Sequence, residues 1–313
     1  MHIHGVLSRT ELLATGVSSN EVQRKVRGGH WRRIRAGIYA TTQVDGRDVW
    51  RQEFAAELCW GGDRAAISHR AAAFIFGLDG FLTMPTGRPD IVVPASSSCR
   101  GESVHRSTIV MPIVSVFDLR VVSPEACLVQ LGHRATPDKV ELAMESALRH
   151  RITTVSRLHE AAFGSLARLD GAKALRAILR RRPPDAPATS NSVETMVLQV
   201  LRRLGCRSVE RGVSIGSEDF SFVIRKRRMA VSCSMAASAP PPSNRRIGLA
   251  NTGWTIVEVA LGELLSDTGD VAYRLQAALV RTQRGPARSG HLALLSTGVR
   301  DIRSLSGDVS VAA

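Results

Sequence analysis

The chain has 313 residues, 44% of them hydrophobic, and carries 42 Lys+Arg against 28 Asp+Glu for a net charge of +14. That length accommodates about two domains, and the basic balance points to an anionic partner, with nucleic acid the first candidate. No apolar run approaches the roughly 18 residues needed to span a bilayer, so no membrane partner is expected.

The N-terminal Met-His-Ile-His-Gly-Val opens no uninterrupted apolar run, so no signal peptide is expected. Cys59, Cys99, Cys127, Cys206 and Cys233 lack CxxC spacing, which argues against a zinc site and a disulfide framework. The expected location is the reducing cytoplasm.

Residues 5–40 read as the first unit. Ser8-Arg9-Thr10-Glu11 is a capping box opening a helix that stops at Gly16. Ser18-Ser19-Asn20-Glu21 opens a second, with Val22 and Val26 on one face and a stop at Gly28-Gly29. Trp31 to Tyr39 then forms a short hairpin around Ala36-Gly37. Two short helices joined through a glycine and followed by a hairpin match a winged helix-turn-helix. Residues 22–40 carry Arg24, Lys25, Arg27, Arg32, Arg33 and Arg35 and no acidic residue, which suits a phosphate backbone. Asn20 and Gln23 are the candidates for base contact, because an amide pairs two-point with adenine.

Residues 47–78 read as helical, with Ser68-His69-Arg70 opening an alanine-rich run. His69, at a helix start, reads as a structural hydrogen-bonder rather than a functional group. Residues 89–122 are β-rich, Pro124 sits at the first position of a helix, and 137–150 and 154–181 continue as helices. Arg180-Arg181-Arg182-Pro183-Pro184-Asp185-Ala186-Pro187 marks a boundary. Beyond it come an amphipathic helix over 193–204, strands over 220–224 and 229–233, and the basic turn Arg225-Lys226-Arg227-Arg228 between them. A third strand over 254–259 and a helix over 271–280 follow.

The order Leu7-Ser8-Arg9-Thr10-Glu11-Leu12-Leu13, Gly28-Gly29-His30-Trp31-Arg32-Arg33-Ile34 and Gly37-Ile38-Tyr39-Ala40 resembles the AbiEi-type antitoxin domain of type IV toxin–antitoxin systems. Ile67-Ser68-His69-Arg70 and Val104-His105-Arg106-Ser107 resemble the middle region of the same proteins. Ser192-Val193-Glu194 and Gly253-Trp254-Thr255-Ile256-Val257 are similar to the Vsr-like branch of PD-(D/E)XK nucleases. The resemblance implies an α+β or α/β multidomain chain. Its parts would be a winged helix-turn-helix over 1–45, an α/β middle region over 46–182 and a restriction-endonuclease-like domain over 189–284. Residues 285–313, poor in aromatics and mixed in pattern, read as a loosely ordered tail.

Nucleases of that branch hold a divalent metal with an acid on one hairpin strand and an acid-x-acid pair on the next. Here those positions fall on Ser221, Ser232 and Ser234, and a neutral hydroxyl does not balance a doubly charged cation. Glu194 and Asp219 remain as residual acids, but no Asp or Glu follows Asp219 until Glu258. The expected domain is therefore inactive, with no metal and no cofactor, and Arg225, Lys226, Arg227 and Arg228 form a possible second nucleic-acid patch. The leading expectation is a transcriptional regulator binding its own operator as double-stranded DNA, with a possible cognate toxin protein as partner. The alternatives are a metal-dependent nuclease with a relocated site and an antitoxin acting mainly by protein binding.

Overall fold

A computed structural model describes residues 3–42, 49–183, 185–241, 243–283 and 294–295. It is a mixed α/β protein with three sheets, divided into two compact units, Met1–Ala188 and Thr189–Ala313. Among the described residues, no helix is long and apolar enough to cross a membrane.

The first unit opens with β1 (Val6–Ser8), α1 (Arg9–Ala14), α2 (Ser19–Arg27), β2 (Trp31–Arg35) and β3 (Ile38–Thr41). The strands form an antiparallel sheet in the order β1-β3-β2. The capping box at Ser8 is complete: its hydroxyl accepts from the Glu11 N–H at 3.1 Å, and its own N–H donates to Glu11 at 3.3 Å. Strand alternation lets this thin sheet serve two cores. Val6, Ile38 and Ala40 point into the main core of the unit with Phe54, while Leu7 and Tyr39 pack on Leu12 and Val22. Residues 1–45 and 46–182, which sequence patterning separates, thus share one compact unit.

After α3 (Val49–Gly61) come β4 (Ala66–Ile67), α4 (His69–Ile75), β5 (Ile91–Pro94), β6 (Val104–Ser107), β7 (Ile113–Val116) and β8 (Leu119–Val122). Their sheet runs β6-β5-β4-β8-β7, with β5/β6 and β4/β8 parallel and the other neighbours antiparallel. The two-residue strand β4 interrupts the helical stretch expected over 47–78. Four helices complete the unit: α5 (Pro124–Arg134), α6 (Pro137–Arg149), α7 (Val155–Glu160) and α8 (Ala172–Arg181). The continuous helix expected over 154–181 is broken by a π turn at Ala161–Ser165. Close packing of α5 on the start of α8 depends on Gly171, where an added Cβ would fall 1.9 Å from the Val129 carbonyl oxygen.

The second unit starts with α9 (Ser192–Arg203), capped by Asn191, whose side chain accepts from the Glu194 N–H at 3.0 Å. Then come β9 (Glu210–Ile215), β10 (Glu218–Ile224), β11 (Met229–Ser234), α10 (Asn244–Asn251), β12 (Thr255–Ala260), α11 (Leu261–Ser266), α12 (Thr268–Gln283) and β13 (Leu294–Leu295). The sheet order is β13-β12-β11-β10-β9, antiparallel from β9 to β11 and parallel from β11 to β13. Val231, Val257 and Val259 pack in one core with Val197 and Leu201 of α9 and Leu275 of α12. Ala230 and Ile256 pack in another with Phe220 and, from α10, Leu249. Apart from β13, the tail expected over 285–313 lies outside the described residues.

Candidate nucleic-acid interface

The basic segment of the first unit is organised around α2. Ser18 caps the helix by accepting from the Glu21 N–H at 3.2 Å, and Gly29, at φ +71°, takes the left-handed conformation that ends it. Glu21 forms a 3.6 Å ion pair with Arg24 rather than returning to the cap, so the second capping box is half formed. Val22 is buried and Val26 half-buried against Tyr39 and Trp31. At 3.6 residues per turn this fixes the outward arc, which holds Gln23, Arg27, Asn20 and Arg24. All four are exposed. Lys25 lies on the opposite flank, beside Glu21 in the helical projection, and is half-buried.

A groove of about 270 Å³ separates α2 from the hairpin, lined among others by Arg9, Gln23, Arg27, Arg33 and Tyr39. Arg33 is exposed on the hairpin side and donates from Nε to the Arg35 carbonyl at 3.4 Å. Arg9 reaches from α1 to donate to the Ser19 hydroxyl at 3.0 Å. Its backbone N–H donates to the Gly37 carbonyl at 2.7 Å, tying the start of α1 to the hairpin tip. None of Arg9, Arg27 and Arg33 forms an ion pair with a described residue. The groove therefore holds three uncompensated guanidinium groups and one amide. Sequence reasoning missed Arg9.

The remaining two arginines of the hairpin are committed elsewhere. Arg32 pairs with Glu53 of α3 at 2.7 Å, and both side chains are partly exposed. Arg35 turns inward, pairs with the buried Glu57 and lies 3.4 Å from the centre of the Trp60 ring. Arg88 donates to the other Glu57 oxygen at 2.9 Å. Burial pushes the Glu57 carboxyl above its ordinary range against the pull of these two cations. Arg35 was expected to hold a phosphate. It instead anchors the hairpin to α3, and the reason is a carboxylate 22 residues away.

His69 is buried, and its backbone stands at φ +50°. Its N–H donates to Gln130 Oε1 at 3.2 Å, and Nδ1 lies 3.0 Å from the Ser68 hydroxyl. Its ring lies on His105, centroids 3.7 Å apart, and His105 in turn pairs with Asp90 at 2.9 Å. Burial first, then the neighbouring His105, pushes the His69 imidazole down to about 2, so it stays neutral.

In the second unit, the expected catalytic positions do not form a metal cradle. The β10–β11 register extends from Ile224↔Met229 to Phe222↔Val231, and beyond it the Ser221 hydroxyl accepts from the Cys233 N–H at 3.2 Å. Ser234 accepts from the Ala236 N–H at 3.1 Å. Ser232 pairs in register with Glu258, whose carboxylate is held by Arg246 of α10. Arg246 also reaches Glu218 at 3.0 Å, and its charge is favoured by both carboxylates despite burial. Asp219 accepts from the Ser214 hydroxyl at 2.6 Å, and Glu194 accepts from the Ser190 N–H at 2.6 Å. The Cys233 thiol is pushed up by burial, with Glu194 and Glu258 adding to the shift and a hydrogen bond from Ser221 opposing it. Among the described residues, no group of three His, Cys, Asp or Glu side chains could hold a metal ion.

The basic turn is also only partly free. Arg225 pairs with Glu210 at 2.8 Å, and Arg228, at φ +45°, closes the 3₁₀ turn while its carbonyl accepts from the Thr255 N–H at 2.8 Å. Lys226 is exposed and Arg227 half-buried.

No protein-family model and no curated protein matches the chain. Among solved structures it is similar to the catalytic domain of the homing endonuclease I-Bth0305I, at 17% identity and a TM-score of 0.24. That match covers 28% of this chain and 94% of the endonuclease domain. It is also similar to the RV2827C protein from Mycobacterium tuberculosis, at 16% identity and a TM-score of 0.35, covering 58% of this chain and 78% of that one. Both likenesses are distant.

Proposed function

We propose that this protein binds double-stranded DNA through the first unit, with α2 as the recognition helix of a winged helix-turn-helix and β2–β3 as its wing. The observation that carries this reading is the groove in which Arg9, Arg27 and Arg33 stand uncompensated around Gln23. Three cations held on two helices and a hairpin suit phosphates on either side of a major groove. Gln23 and Asn20, on the outward arc of α2, are placed to reach base edges. Arg24 on the outward arc and Lys25 on its flank extend the phosphate contacts along the helix. The chain acts as a regulator of its own operon, in the manner of the AbiEi-type front end that its motifs resemble, with a cognate toxin protein as partner.

The second unit is read as a restriction-endonuclease-like domain without its catalytic acids. The Arg246 guanidinium supports this, since it ties up Glu258, the carboxylate in register with Ser232, together with Glu218. The test is fluorescence anisotropy of the full chain with labelled duplexes, including the region upstream of its own gene. Binding should weaken steeply with salt and fall further for Arg27→Ala and Arg33→Ala. Salt-insensitive binding, or variants that bind like the parent, would refute the reading.

A further inference from the structure

A second concavity in the first unit has no part in the reading above. It measures about 530 Å³ and lies at the carboxyl ends of the parallel neighbours β5 and β6. That volume is in the range of small-molecule sites, and the carboxyl ends of parallel strands are where open α/β sheets hold their ligands. Its walls are mostly apolar: Val93, Pro94, Ile109 and Met111 contribute. Val110 at the rim is 82% exposed, a large apolar side chain left in water.

The polar groups are few. Arg64 lines the cavity, is exposed and forms no ion pair with a described residue. Ser96 and Thr108 line it too, with no hydrogen bond to a described residue. The wall is fixed from behind: Met111 is buried and its sulfur receives Gln130 Nε2 at 3.8 Å, while the same amide holds the His69 backbone. A pre-formed apolar chamber with one cation and two hydroxyls suits a ligand with one anionic head and a hydrocarbon body. A nucleotide would need several cations or a glycine-rich loop for its phosphates, and neither lines this cavity.

We propose that this cavity binds a small apolar carboxylate, its head on Arg64 with Ser96 and Thr108 nearby, and its body along Val93, Pro94, Ile109 and Met111. The probes are decanoate and, as an uncharged match of the same length, decanol, titrated calorimetrically into the full chain without DNA. Decanoate should bind about threefold more tightly than decanol, the margin of one charged contact at a solvent-exposed arginine. Arg64→Met should remove that margin, so that the two probes bind alike. Ala95→Trp, at an exposed lining position, should block both ligands; its far-ultraviolet circular dichroism checks that the fold survives. Equal affinity for decanoate and decanol, an Arg64→Met variant that still prefers the carboxylate, or no binding of decanoate up to about 1 mM would overturn the proposal.

Discussion

Replacing Glu57 with Ala removes the one carboxylate that pairs with Arg35 among the described residues. The Arg35 side chain is 13% exposed and Glu57 is 2% exposed, so the substitution leaves a guanidinium charge largely out of water. Breaking a buried pair in this way costs about 3–5 kcal/mol. Stacking on Trp60 persists and keeps the cost near the lower end, while Arg88, half exposed, rehydrates with little penalty. For a unit of this size each kcal/mol lowers Tm by roughly 2–4 °C, so about 3 kcal/mol corresponds to a fall of roughly 6–12 °C. Glu53→Ala is the matched control, because its partner Arg32 is 44% exposed and such pairs contribute about 1 kcal/mol or less. Differential scanning calorimetry on the two variants and the parent decides the matter. If Glu57→Ala melts as close to the parent as Glu53→Ala does, the buried anchor between hairpin and α3 has been misread. A double replacement, Arg35→Met with Glu57→Leu, should recover much of the loss, since no lone charge is then left inside.

Three further outcomes follow from the same geometry. His69 has a folded-state value near 2, whereas the unfolded chain titrates in the ordinary range, so below about pH 6.5 only the unfolded chain takes up the proton and stability falls with acidification. Between pH 7 and pH 5 this group should account for about 2 kcal/mol of lost stability in urea unfolding. His69→Asn, whose residue also tolerates a left-handed backbone, should lack that share; an undiminished pH dependence would assign the loss to other groups. Gly171→Ala should destabilise the first unit by about 1–3 kcal/mol through the clash with the Val129 carbonyl, measured as a shifted urea midpoint; a neutral result would mean that α5 and α8 separate freely. Supercoiled plasmid incubated with Mg²⁺ or Mn²⁺ should remain intact, and metal-dependent nicking abolished by Asp219→Ala would restore the nuclease alternative.

Much of the local architecture is legible because its signals are local. Ser8 with Glu11, Ser18, Pro124 and Pro137 start helices where capping chemistry requires, and Gly28-Gly29 stops α2. The short strands β1 and β4 are not legible, since three and two residues carry no periodicity. Strand β9 is hidden by its own composition: Glu210 and Arg211 open it, and Gly212, at φ +59°, interrupts any alternation. The helix α10 follows a proline run and buries no residue fully, so nothing in its pattern sets it apart from loop. At the interface, the charge of residues 22–40 is visible from sequence but its allocation is not. Arg33 and Arg35 are two residues apart on one strand, and an irregular register between them accompanies their divergence. One lines the groove and the other pairs with Glu57, and only the placement of α3 distinguishes them.

The central claim is that DNA is held by the uncompensated arginines of the groove. Anisotropy titrations of the full chain on a 30-base-pair duplex across a salt series test it most directly, comparing Arg33→Ala with Arg32→Ala. Each phosphate contact contributes about 0.9 to the slope of log affinity against log salt, so Arg33→Ala should weaken binding and reduce the slope by about 1. Arg32→Ala, already paired with Glu53, should change the slope much less. Equal slopes for Arg33→Ala and the parent, or no duplex binding by the parent at low salt, would contradict the account.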